Sequence, residues 1–138
     1  MVTKTAFLVP LCLLCVLASG CSGGQGMEPA FSAVTVMLVG SPERGGGRTV
    51  VLKDHADIRE AMSFFPGLSE HRKSQTAGSW YPFVSFTFAP ESGEKITVVS
   101  DYRYWNKGTG GDFEVKGDLE AYVKKIFAEK KPQAPAQE

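Results

Sequence analysis

Thiols are scarce and confined to one end of the chain. Its 138 residues include three cysteines, Cys12, Cys15 and Cys21, and none follows from Ser22 onward. The region after Cys21 therefore holds no disulfide, no thiolate nucleophile and no cysteine-based zinc site, and its stability must come from packing. An excess of charge of either sign is also missing. The 15 basic residues balance the 15 acidic ones, which argues against nucleic acid as a partner, because phosphate contacts demand surplus Lys and Arg. The two histidines, His55 and His71, have Asp57 and Glu70 as nearby oxygen donors but match no metal-ligand spacing. They read as solvent-facing, since a metal site needs three or four converging ligands. No apolar run is long enough to span a bilayer: Ala6 to Leu17 is about a dozen residues, and a spanning helix needs ~20. No internal repeat is visible.

Catalytic patterns are equally thin. Ser79 lies in Ala77-Gly78-Ser79-Trp80-Tyr81, which lacks the final glycine of a nucleophile elbow. Gly108-Thr109-Gly110-Gly111 lacks the Gly-Lys-Ser/Thr ending of a phosphate-binding loop. Arg44-Gly45-Gly46-Gly47-Arg48 has the composition of an anion cradle, but reads more simply as the tip of a hairpin. Asp101, Asp112 and Glu114 leave a carboxylate-dependent hydrolase as the catalytic alternative, and it is the separation of such carboxylates that decides that chemistry. No catalytic residue and no cofactor is assigned.

What is present begins at the amino terminus. Lys4, the apolar run Ala6–Leu17 and the small residues Ala18-Ser19-Gly20 before Cys21 have the anatomy of an export signal. This segment resembles the signal sequence and lipobox of bacterial lipoproteins; Ala18 stands three before the cysteine, with Leu17 one step further back. The resemblance implies that residues 1–20 are removed, that Cys21 becomes the amino terminus, and that its sulfur carries a diacylglyceryl lipid. It also implies an extracytoplasmic location on the cell membrane or outer membrane, and Ser22, not being Asp, is similar to residues that accompany transfer to the outer membrane. A secretory cut near Ala18-Ser19-Gly20 and an uncleaved anchor are the alternatives. Residues 21–30, rich in Gly, read as a tether, with random-coil statistics that put the domain roughly 15–18 Å from the lipid.

Residues 31–130 read as one domain and residues 131–138, with Pro132 and Pro135, as a disordered tail. Phe31–Val39 and Arg48–Lys53 have the composition of paired buried strands, joined by a Gly- and Pro-bearing loop. Asp54 is placed to cap a helix in which Ile58, Ala61, Met62 and Phe65 share one face, ending before Pro66-Gly67. Ser79–Ala89 reads as a central strand, returning through Pro90–Glu94 into an antiparallel partner at Lys95–Asp101. Asp112–Lys116 reads as a short edge strand. Asp118 is placed to cap a last helix with Leu119, Tyr122, Val123, Ile126 and Phe127 on one face. The fold expected is α+β: a mainly antiparallel sheet of four or five strands with two helices packed on one face.

The most suggestive segment is Asp101-Tyr102-Arg103-Tyr104-Trp105-Asn106-Lys107. Aromatic faces stack on sugars or partner side chains, and Arg and Asn supply directional hydrogen bonds. Tyr102, Arg103, Tyr104, Trp105 and Asn106, with Trp80 and Tyr81 alongside, are the candidate ligand-binding residues. Alternation sends Tyr102 and Tyr104 to one side and Arg103 and Trp105 to the other, so the competing expectation is that one set is simply sheet core. The function expected is a membrane-tethered, non-catalytic binding module of the cell envelope. Its partner is expected to be an envelope protein, with a glycan such as peptidoglycan as the alternative.

Overall fold

The computed structural model describes residues 30–69, 79–108 and 111–133. Cys21 and the expected signal and tether before Ala30, residues 70–78 with Glu70 and His71, Thr109 and Gly110, and residues 134–138 of the expected tail lie outside the described residues. The fold is α+β, an open six-stranded antiparallel sheet with two helices. Its strands are β1 (Phe31–Leu38), β2 (Thr49–Leu52), β3 (Val84–Pro90), β4 (Ile96–Ser100), β5 (Tyr104–Asn106) and β6 (Phe113–Glu114). The helices are α1 (His55–Ser63) and α2 (Leu119–Glu129). Across the sheet the order is β2-β1-β3-β4-β5-β6.

Period-two alternation sorts the strands into two faces. The register pairs Val36 with Val50 and Phe86, Phe86 with Val98, and Ser100 with Trp105, so these side chains line one face. That face is the core. Val34, Val36, Leu52, Val84, Phe86, Phe88 and Val98 are fully buried there. Both helices add their apolar stripes to the same cluster, through Ile58 and Ala61 of α1 and through Leu119, Tyr122, Val123, Ile126 and Phe127 of α2. Phe65, just past α1, wedges its ring edge-on against Phe86 at 5.0 Å and Trp105 at 5.6 Å, a geometry that suits the ring quadrupoles. The opposite sheet face carries small and polar side chains such as Thr35, Thr87 and Thr97, with Thr87 and Thr97 hydroxyls 3.2 Å apart.

The two caps differ. Asp118 accepts the Ala121 N–H at 3.0 Å, while Asp54 holds the N-cap position of α1 without a side-chain capping bond. Three expectations need correction. The sheet has six strands because Tyr104–Asn106, which the sequence reading assigns to no strand of its own, pairs with both β4 and β6. The central strand begins at Val84 instead of Ser79, which leaves Trp80 and Tyr81 outside it. The chain remains tied down past residue 130: the Gln133 N–H donates to the Thr49 carbonyl at 2.8 Å, on the outer edge of β2.

Candidate functional site

At the end of the sheet where β1 finishes, β3 starts and β4 finishes, the connecting segments and α2 enclose an open groove of about 1310 Å³. Topology assembles it. Leu38 pairs with Val84, and Val84 with Ser100, so the loop after β1, the segment entering β3 and the turn after β4 converge on one rim. The β1–β2 loop supplies Glu43, Arg44 and Arg48; the entry to β3 supplies Tyr81, Pro82 and Phe83; the turn after β4 supplies Asp101, Tyr102 and Arg103. On the other side α2 contributes Glu120, Val123, Lys124 and Phe127.

The β1–β2 loop is built, not slack. Residues Pro42–Arg44 form a 3-10 turn closed by Gly45, whose φ of 80° is left-handed, a conformation that glycine adopts without a Cβ penalty. Gly46 N–H donates to the Ser41 carbonyl and Gly47 N–H to the Leu38 carbonyl, so these amides serve the turn and do not form an anion cradle. Gly46 is required for a second reason: a Cβ there would sit 2.1 Å from the Gly40 carbonyl oxygen. The turn presents Arg44 and Arg48 to the groove, and the Arg48 guanidinium lies 5.3 Å from the Phe127 ring centroid, a cation–π distance.

Tyr102 is the strained member. Its φ of 76° is the one positive value at a non-glycine among the described residues, and for a bulky side chain such a conformation is costly. A dense set of bonds enforces it. Tyr102 N–H donates to Ser100 Oγ at 3.0 Å, Ser100 Oγ–H donates to the Tyr104 carbonyl at 2.7 Å, and Asp101 Oδ1 accepts both the Arg103 and Tyr104 N–H groups. The result stacks the Tyr102 ring on Phe83, centroids 5.8 Å apart. Burial, with Glu120 adding to it, pushes the Tyr102 phenol above its ordinary pKa, and Lys124 pulls the other way. Tyr102 is therefore a neutral ring at physiological pH. Of the three large hydrophobic side chains exposed among the described residues, two line this groove: Tyr81 at 81% and Phe83 at 49% exposure.

The candidate residues divide. Tyr81, Tyr102 and Arg103 come together on the rim. Trp105 does not: it is 1% exposed, stacks on Phe113 at 4.8 Å and donates its indole N–H to the Glu114 carbonyl. This corrects its place among the binding residues, because its strand position faces the helices. Tyr104 lies on the opposite sheet face, partly buried, with the Arg103 guanidinium 5.9 Å from its ring. Asn106 is also committed elsewhere: its Nδ2 donates to Asp112 and its Oδ1 accepts the Gly108 N–H, each at 2.9 Å. Trp80 is half-buried and does not line the groove. The reading of the sequence missed Phe83, Arg44, Arg48 and Phe127 as neighbours of these residues. Only the paired arginines flanking the glycine run hinted at them.

Of the carboxylates considered for hydrolysis, Asp101 lines the groove with its Oδ1 already accepting backbone N–H groups, whereas Asp112 and Glu114 lie outside it. Among the described residues no group of three or more His, Cys, Asp or Glu is arranged to hold a metal ion, and His55 is exposed at the start of α1. No protein family, curated protein or solved structure matches the chain.

Proposed function

We propose that this chain is a bacterial extracytoplasmic lipoprotein, anchored by lipid on Cys21, whose domain is a non-catalytic module that holds a protein partner in the groove beside α2. The observation that carries the reading is the aromatic rim of exposed Tyr81 and Phe83 beside half-buried Tyr102, held by a strained turn. Strain of this kind, of order 1–3 kcal/mol, persists only where surrounding structure enforces it, and it clusters at sites of recognition. Tyr and Arg are the residues that interfaces favour. The volume also supports a macromolecular partner, since about 1310 Å³ exceeds the ~300–1,000 Å³ of ordinary small-ligand sites.

A protein is favoured over a glycan because the sugar reading leaned on Trp105 for stacking and Asn106 for hydrogen bonds. Neither offers itself. Orientation supports the same conclusion. The tether joins the domain at Ala30, before β1, and the groove lies at the far end of β1, roughly 23 Å away for a strand rising about 3.3 Å per residue. A tethered domain can thus turn the groove away from its own membrane, towards something across the aqueous space.

Two measurements test the proposal. Mass spectrometry of the amino terminus from the membrane fraction should find lipidated Cys21, lost in Cys21→Ser; an unmodified soluble chain refutes the anchor. Wild-type domain and the double variant Tyr81→Ala, Phe83→Ala should both fold, because Tyr81 is mostly exposed and Phe83 is half-exposed, both outside the buried core. Only the wild type should retain envelope proteins, and neither should bind isolated peptidoglycan. Retention of peptidoglycan by the wild type and its loss from the variant would replace the protein reading with the glycan one.

A further inference from the structure

Resting on the groove as a protein-binding site, we infer that its occupant is an acidic polypeptide segment carrying a large apolar side chain. The charge around the groove is not balanced in the way the whole chain is. Lys124 is spent on Glu120 at 2.7 Å, one turn away on α2. The Asp101 carboxylate is engaged by two backbone N–H groups. Arg44, Arg48 and Arg103 line the same rim, and among the described residues none of them has a carboxylate within ion-pair distance. Arg44, Arg48 and Arg103 thus line the groove without ion pairs, the Arg48 guanidinium against the Phe127 ring and the Arg103 guanidinium against the Tyr104 ring, and with Lys124 they outnumber the lining acids Glu43, Asp101 and Glu120 by one. Guanidinium is the group suited to carboxylates, which it binds through two parallel N–H donors, and it is less strongly hydrated than ammonium. Charge complementarity therefore specifies an acidic occupant.

The apolar requirement comes from the walls. The lining also includes Val39, Pro82, Phe83, Tyr102 and Val123, and no Asn or Gln is among the lining residues to read sugar hydroxyls. A side chain of Phe or Leu type against the stacked Phe83 and Tyr102 rings would remove exposed aromatic surface from water, which supplies affinity, while the arginines supply selectivity and speed of encounter.

The test uses the full domain with two fluorescein-labelled peptides: one carries Glu residues and a single Phe on a Gly-Ser backbone, the other carries Lys at every Glu position. Fluorescence anisotropy should show that the Glu peptide binds, more weakly as salt rises, and that the Lys peptide binds at least about tenfold less tightly. Arg44→Glu with Arg103→Glu should reverse that order without altering the melting temperature, because both side chains are exposed. Tyr81→Ala should weaken the Glu peptide severalfold in either background. Equal binding of the two peptides, or a preference unmoved by the charge reversal, overturns the acidic occupant and leaves the groove reading standing. Failure of both peptides also overturns it, and the Tyr81, Phe83 retention experiment then decides whether the groove reading falls too.

Discussion

Tyr102 sets two effects of similar size against each other. Left-handed backbone at an L-residue costs about 1–2 kcal/mol, and the ring, half-buried against Phe83, returns about the same, being part of the ~1.5–3 kcal/mol that full burial of a large apolar side chain brings. Tyr102→Gly should therefore leave stability within about 1 kcal/mol in urea unfolding while partner retention falls. A large loss of stability would mean that the ring is structural and the strain has no functional meaning. Trp105 is the opposite case. With its ring between Phe65 and Phe113 and its N–H bonded, Trp105→Ala should cost about 3–5 kcal/mol, read from the shift in urea midpoint. The two residues look alike in the sequence, both aromatic and within one short segment. Alternation put Tyr104 and Trp105 on opposite sides, as they are, but it also carried the strand through Tyr102 and Arg103, whereas the turn imposed by Ser100 and Asp101 restarts the pattern at Tyr104. Positive φ at a tyrosine carries no signal in composition.

At the scale of elements, the two caps form an internal comparison. Asp118→Ala removes the bond to the Ala121 N–H and should cost about 1 kcal/mol; Asp54→Ala, removing no capping bond, should cost only a few tenths. Equal losses in thermal unfolding would contradict that distinction. The contact between helices also titrates. Tyr122 packs against Phe64 at 4.8 Å, and burial, with Glu60 and Asp57 adding to it, pushes its phenol above the ordinary range. Lys130 is raised by its bond to Asp57 at 2.7 Å, which ties the end of α2 to the start of α1. The signs agree: in each case the folded chain holds its proton more tightly than the unfolded chain. The stability these groups add is complete below about pH 10, near the unfolded values, and declines as pH rises through the raised ones. Tyr122→Phe should flatten the fall in stability above pH 10; an unchanged slope would place the alkaline sensitivity elsewhere. These helices were legible because Ile58, Ala61 and Met62, and Leu119 through Phe127, repeat at helical spacing. The three-residue β5 was not, since its evidence is pairing with neighbours on both sides.

For the whole molecule, the class of fold followed from local patterns, yet the groove did not. Its rim joins a loop near residue 44, a segment near residue 82 and a turn near residue 102, and only the strand order β2-β1-β3-β4 brings those three together. Sequence spacing carries no record of that convergence, which is why Tyr81 and Tyr102 were recognised as candidates while Arg44, Arg48 and Phe83 were not. The same topology puts the groove at the opposite end of β1 from Ala30 and leaves the Thr-bearing sheet face as the main rival surface. Site-specific photo-cross-linking in cells expressing the full chain separates them, with the reactive group placed at Tyr81 on the rim or at exposed Thr97 on the sheet face. Protein adducts at position 81, abolished by Arg44→Glu with Arg103→Glu, and none at position 97 are the predicted result; adducts at position 97 with none at position 81 would contradict the assignment of the groove as the binding site.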